Sequence, residues 1–193
     1  MDNQPDNHKE ERTKEEYAIV LDFLPNGYLN DPRPMFKKTP IVQAIGNKHF
    51  TLLELVPKKE IFVQPSDIVY IGEKERDKIH HINGRLPLNK LTPTAKSEIE
   101  PIVKKIVHEN QARFVEFFNK AQPLSTRMHS LELLPGLGKK HMWEILEERR
   151  GEPFKDFDDL KNRVKLMPDP EKIIIKRILK ELEKEEKYYI FLE

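Results

Sequence analysis

The chain changes its hydrophobic rhythm once, near residue 91. Before that point apolar residues come in short runs bounded by turn formers. These are Tyr17–Leu24, closed by Pro25-Asn26-Gly27, then Pro40–Ile45, closed by Gly46-Asn47-Lys48, and then Phe50–Val56, Glu60–Val63, Ile68–Ile71 and Ile79–Arg85. Such runs predict strands. Asn83-Gly84 predicts a hairpin turn at the end of the last run. Five or six short strands within about seventy residues predict a small β-barrel.

After Leu91 the period becomes helical. Thr92-Pro93 has the form of a helix cap with proline at the first helical position. Pro101 is expected to start a second segment or kink the first. Ile102, Val103, Ile106, Val107, Phe114, Phe117 and Phe118 mark one helical face, which Gln122-Pro123 ends. Ser125–Arg150 predicts two short helices joined by Pro135-Gly136-Leu137-Gly138, with Gly151 suited to a helix C-terminus. A second unit follows, with Phe157, Leu160 and Val164, a loop through Met167-Pro168-Asp169-Pro170, and a helix bearing Ile173, Ile174, Ile178, Leu179 and Leu182. Tyr188–Leu192 is β-prone and predicts a terminal strand. The expected fold class is therefore α+β. A polar tail over residues 1–15, expected to be disordered, precedes a barrel over 16–90 and an all-α region over 91–193.

Composition narrows the classes. Of 193 residues, 37% are hydrophobic and 35% charged, a balance that suits two small domains better than one large core. The net charge of +1 gives no global attraction to nucleic acid, so any such binding must use local basic patches. The absence of cysteine excludes disulfides, thiol catalysis and cysteine-ligated zinc. The polar first residues do not form a signal peptide. No stretch approaches the ~18 apolar residues of a membrane span.

The most informative chemistry lies at the hairpin. Gly136 and Gly138 are two of only seven glycines, and Lys139 and Lys140 follow at once. Glycine permits positive φ or close approach of backbone to a ligand. A helix start offers unpaired N–H groups and the positive end of the dipole, which together favour an anion. The bland alternative is a tight helix–helix turn with two solvated lysines. Leu131, Leu134, Pro135, Gly136, Leu137, Gly138 and Ile145 together resemble the helix-hairpin-helix motif. That resemblance implies that the hairpin amides of Gly136, Leu137 and Gly138, with Lys139 and Lys140, hold nucleic-acid phosphates without reading sequence. The second unit resembles the other half of a tandem pair. It lacks both glycines and carries Asp169, so it is expected to be a structural partner.

The first half resembles the OB or S1-like class of barrels. That class stacks bases on aromatic side chains and follows the backbone with basic groups. Tyr28 and Phe36, in a turn and a loop, are the aromatic candidates. Arg33, Lys37 and Lys38 are the nearby cations.

Catalysis lacks a constellation. None of His8, His49, His80, His81, His108, His129 and His141 has metal-ligand spacing on a predicted helix. His80 and His81, adjacent on a strand, are expected to face opposite ways. His129 and His141 suit a polar surface role. Asp156, Asp158 and Asp159 fit a helix cap and first turn. No phosphate-cradling loop, nucleophile elbow or dinucleotide fingerprint occurs. The expectation is no catalytic residue, no metal and no cofactor. Trp143 is expected to pack against the second hairpin unit.

The full order of a polar tail, a barrel opening at Glu16–Pro25, the Arg33-Pro34 insertion and a C-terminal hairpin pair resembles the archaeal domain-of-unknown-function family 655. The resemblance covers roughly residues 15–193. It implies a cytoplasmic archaeal RNA-binding protein, with ribosomal RNA or translation as its setting. The expected function is non-catalytic binding of nucleic acid, RNA favoured over DNA. The rivals are a protein-interaction scaffold and an accessory subunit of a nuclease or repair enzyme.

Overall fold

The computed structural model describes residues 14–183 and 186–192. The tail expected over 1–15 lies outside the described residues except for Lys14 and Glu15.

Five antiparallel strands form the first half: β1 (Tyr17–Leu24), β2 (Ile41–Gly46), β3 (Leu52–Pro57), β4 (Ile68–Tyr70) and β5 (Ile79–Arg85), in the order β4-β1-β2-β3-β5. The sheet curls, yet its edge strands β4 and β5 do not pair with each other, so it is a half-barrel. Its two faces follow from alternation along the strands. Ala18, Val20, Val42, Ala44, Leu53 and Leu55 fill the hollow of the curl. Ile19, Leu21, Ile45 and Leu52 point the other way, into a core shared with the helices. Every residue of central β2 is buried.

Glu60–Val63 is not a strand. Glu60 has φ +62° and Ile61 N–H donates to the Lys58 carbonyl (3.2 Å), so the segment turns, although Val63 still reaches the core. Asn83-Gly84 is not a turn either. Both residues lie inside β5, where Glu54 pairs with Gly84 and Leu55 with Ile82, leaving Asn83 as a bulge. The true β2–β3 turn is held by Glu15. Its carboxylate accepts N–H bonds from Lys48, His49 and Thr51 at 3.0, 2.8 and 3.3 Å. Gly46 makes room, since a Cβ there would lie 1.9 Å from the Glu15 carboxylate.

The helical half comprises α1 (Pro93–Glu109), α2 (Gln111–Lys120), α3 (Lys139–Gly151), α4 (Phe157–Arg163) and α5 (Pro170–Leu182), with a small two-stranded hairpin of β6 (Pro123–Ser125) and β7 (Met128–His129). Thr92 Oγ1 caps α1 by accepting from Ala95 N–H at 3.0 Å. Pro101 sits inside α1 on its exposed side, and α1 continues past it. The break falls at Asn110, whose side-chain amide donates to the Ile106 carbonyl (2.8 Å) in competition with the helix ladder. Asp156 caps α4 and Asp169 caps α5.

The final segment is not a strand. The amides of Ile190, Phe191 and Leu192 all donate to the Glu181 carboxylate at 3.0 Å, which replaces a strand partner. Arg177, paired with Glu181 at 2.7 Å, also donates to the carbonyls of Tyr188 and Leu133 and to Glu186. Phe191 packs edge-on against Phe114 and Phe117, and Phe114 lies 6.4 Å from Phe50 of the β2–β3 turn. Sheet, helices and C-terminal strap thus share one core, and the change at residue 91 is a change of structure without a gap in packing.

Candidate functional site

Two surfaces gather the candidate residues. The first is the approach to α3. It is not preceded by a helix of ordinary length. Ser130–Leu133 forms a single 3₁₀ turn, entered through the β6–β7 hairpin. His129 caps that turn by accepting from Leu131 N–H at 3.1 Å, and Glu132 reciprocates onto His129 N–H at 2.9 Å. Pro135 disfavours helical geometry in Leu134, so the turn cannot lengthen. Burial and the nearby Arg149 push the His129 pKa down. His129 is buried and structural, where a surface role is what the sequence suggests.

Gly136 has φ +85°, the left-handed region that favours glycine. A Cβ there would come within 3.4 Å of Pro168 in the α4–α5 loop. Leu137 is buried and anchors the loop. Gly138 is the N-cap of α3 and supplies no side-chain bond. A Cβ on Gly138 would meet nothing within 4 Å, so the space in front of the helix start is open. Lys139 and Lys140 are both exposed.

The rest of α3 is fixed from three directions. Arg149 donates to the carbonyls of Phe118 and Ala121 at the end of α2. Arg163 of α4 donates to the carbonyls of Glu148 and Glu152. Glu144 accepts from Lys165 N–H at 2.8 Å, and His141 Nε2 contacts the Leu166 carbonyl at 3.1 Å. Those contacts set one face of α3 against the α4–α5 loop, and Lys139, Lys140 and Trp143 are exposed to solvent. Trp143 is 62% exposed, so it does not seal that interface. Its position three residues after Lys140 was the signal that could have placed it beside the lysines.

The second surface is a cleft of about 830 Å³ between the β1–β2 connection, β3 and β5. Tyr28, Arg33, Glu54, His81, Asn83 and Lys90 line it, over apolar Ile41, Val56 and Leu86. The Tyr28 hydroxyl donates to Glu54 Oε2 at 2.5 Å, and Asn83 Nδ2 donates to Glu54 Oε1 at 2.8 Å. Asn83 Oδ1 meets His81 Nε2 at 2.9 Å, and His81 Nδ1 meets His80 Nδ1 at 2.7 Å. Burial first, and the bond to Glu54 second, push the Tyr28 phenol up to about 12.

The two histidines do not face opposite ways. Val56 pairs with His81 and Pro57 with Ile79, so His80 is a bulge residue, and the bulge breaks the alternation and brings the rings together. Gln43, fully buried, supports the cleft from below. It donates to the Tyr28 hydroxyl (3.2 Å) and the Lys90 carbonyl (3.1 Å) and accepts from Thr92 N–H (2.9 Å).

The five barrel residues singled out by sequence divide. Tyr28 and Arg33 line the cleft, whereas Phe36, Lys37 and Lys38 do not. Arg33 is gripped by Asp31 through Nε and a terminal nitrogen, and those bonds hold the Asp31 carboxyl down at about 2. Phe36 is 84% exposed, with Lys37 Nζ 5.9 Å from its ring centre. Sequence reasoning missed Glu54, His81 and Asn83, because only the bulged pairing of β5 with β3 assembles them.

No described helix is long and apolar enough to cross a membrane. Among the described residues no three histidine or acidic side chains group as metal ligands would.

The solved structures include a crystal structure of Af1531 from Archaeoglobus fulgidus, a DUF655 protein. It is 44% identical, matches with a TM-score of 0.82, and covers 93% of this chain and 100% of that one. Uncharacterized protein MJ0038 of Methanocaldococcus jannaschii is 45% identical over 181 residues, which are 93% of this chain and 80% of the relative. The profile of the family described as "Protein of unknown function (DUF655)" matches residues 14–193, and the chain belongs to that family.

Proposed function

We propose that the protein is a non-catalytic nucleic-acid-binding protein that grips phosphate backbone at Gly136–Lys140, with RNA as its target rather than DNA. In this reading the 3₁₀ turn, the glycine loop and α3 act as a helix-hairpin-helix, and the half-barrel acts as an OB-like second contact surface. The observation that carries it is the start of α3. Gly136 is left-handed, Gly138 leaves the helix end uncapped and open, and two exposed lysines flank it. Such an end presents N–H groups and positive dipole to an anion. Trp143 extends the surface with a ring able to stack on sugar or base. Phosphate contacts carry no sequence information, so affinity is expected to be general.

The test is Lys139→Glu with Lys140→Glu, assayed on single-stranded and structured RNA over a salt series. Binding should weaken most at low salt. The slope of log affinity against log salt should flatten by about 0.7–0.9 for each lost phosphate contact. A normally folded double variant that binds as tightly as the parent at every salt concentration would make the loop a structural turn.

A second reading, a protein-docking module, is favoured by Leu29, Met35 and Phe36, which are 97%, 67% and 84% exposed on the β1–β2 connection. It predicts little affinity for RNA at any salt.

A further inference from the structure

We propose that the cleft between the β1–β2 connection, β3 and β5 is a guanine-binding site, with Glu54 as the residue that reads the base. Glu54 is half-buried and has two neutral donors, Tyr28 on Oε2 and Asn83 on Oε1, while none of the ion pairs among the described residues includes it. A carboxylate oxygen has room for two donors. Each oxygen of Glu54 therefore has capacity for one further donor, and both belong to one planar group. Tyr28 and Asn83 fix the rotation of the carboxylate, so this pair of acceptors is preorganised.

A partner must bring two adjacent donors on one edge. Among the RNA bases only guanine does so, through N1–H and the exocyclic N2 amine. Adenine and cytosine set a donor beside an acceptor, and uracil flanks its single donor with acceptors. Ile41, Val56 and Leu86 give the apolar surface that a flat bicyclic ring needs, and the volume is ample for a nucleotide. Lys90 and Arg33, also on the lining, offset Asp31 and Glu54, so the cleft has no net negative charge to favour a guanidinium, the other group with paired donors. Two bulges in β5 re-aim its side chains here, a device common beside binding sites.

The same chemistry can come from a free guanine nucleotide or from an unstacked guanosine in RNA. The inference borrows only this second source from the nucleic-acid reading.

The experiment titrates the isotopically labelled full chain with GMP, IMP, AMP, CMP, UMP and argininamide, following amide shifts. IMP differs from GMP only by the missing N2 amine, so it probes the carboxylate pair without altering the protein. GMP should shift residues around Tyr28, Glu54 and Asn83, and IMP should bind at least about tenfold more weakly, as expected for one lost bond to a charged acceptor. Glu54→Gln, checked for an unchanged melting temperature, should abolish the GMP preference. Equal affinity for GMP and IMP, or equal or tighter binding of argininamide, would overturn the assignment.

A second arm compares a single-stranded RNA bearing one guanosine with the same strand bearing inosine. Tighter binding of the guanosine strand supports the site. RNA binding that ignores the exchange, with no GMP binding, overturns the guanine site and leaves the backbone reading standing. GMP binding without RNA binding keeps the guanine site and removes the backbone reading.

Discussion

Glu181→Ala tests how the C-terminal strap holds the molecule together. The Glu181 carboxylate is fully buried and accepts from Arg177 Nε at 2.7 Å and from three consecutive amides at 3.0 Å. Truncation leaves Arg177, itself 2% exposed, without its buried carboxylate and with only the less buried Glu186 as a charged partner among the described residues. Breaking a buried pair from one side costs about 3–5 kcal/mol. The three amides can regain water only if residues 190–192 lift away, and that movement draws Phe191 out of its contact with Phe114 and Phe117. A loss of about 4 kcal/mol follows. For a chain of this size it lowers the melting temperature by roughly 8–16 °C. Thermal unfolding by circular dichroism measures the shift, and amide exchange at Ile190, Phe191 and Leu192 measures release of the strap. Because Arg177 also holds the Leu133 carbonyl, just before Pro135-Gly136, exchange in the glycine loop should quicken in the same variant. A loss below about 1 kcal/mol with the three amides still protected would refute this account of the strap.

Two further outcomes are expected. Pro101→Ala should raise stability by about 1–3 kcal/mol, since an interior proline lacks the N–H of the helix ladder and crowds the preceding turn while the site faces solvent, and denaturant unfolding reads the gain. His129 must stay neutral to accept from Leu131 N–H, and its folded pKa lies below its unfolded value. Below the unfolded value near 6.5, the unfolded chain therefore binds the proton more readily. Stability should be full above that pH and fall as pH drops through it, by at most about 1.4 kcal/mol per pH unit, and His129→Asn should flatten that part of the pH–stability curve.

Much of the fold was legible because burial imposes periodicity. Tyr17–Leu24 matches β1 residue for residue, and the Thr92-Pro93 cap opens α1 where the hydrophobic period changes. The left-handed Gly136 was legible too, because a glycine between Pro135 and Leu137 has few other reasons to be there. What escaped depends on contacts distant in sequence. Tyr188–Leu192 has strand propensity, but a carboxylate on α5 takes its amides first. Asn83-Gly84 has turn propensity, but pairing with β3 absorbs it as a bulge. Trp143 has the size of a core residue, yet its helix shows the core Met142 and Ile145 instead. The cleft was the least legible part. Glu54, His81 and Asn83 lie on two strands and carry no motif, so only the register of β3 with β5 brings them together.

The shared core has an evolutionary consequence. Ile19, Leu21, Ile45 and Phe50 face the helices, and Ile102, Ile106 and Phe114 face the sheet. A gene fragment bearing either half alone would expose an oily surface that its own sequence cannot cover. The two halves are therefore poor candidates for recombination into other proteins, however separable they look in sequence. Descent should carry them as one piece, with substitutions on the sheet answered by substitutions on α1 and α2. The matched lengths already fit this. The family profile runs through both halves, and the Archaeoglobus fulgidus structure is covered from end to end.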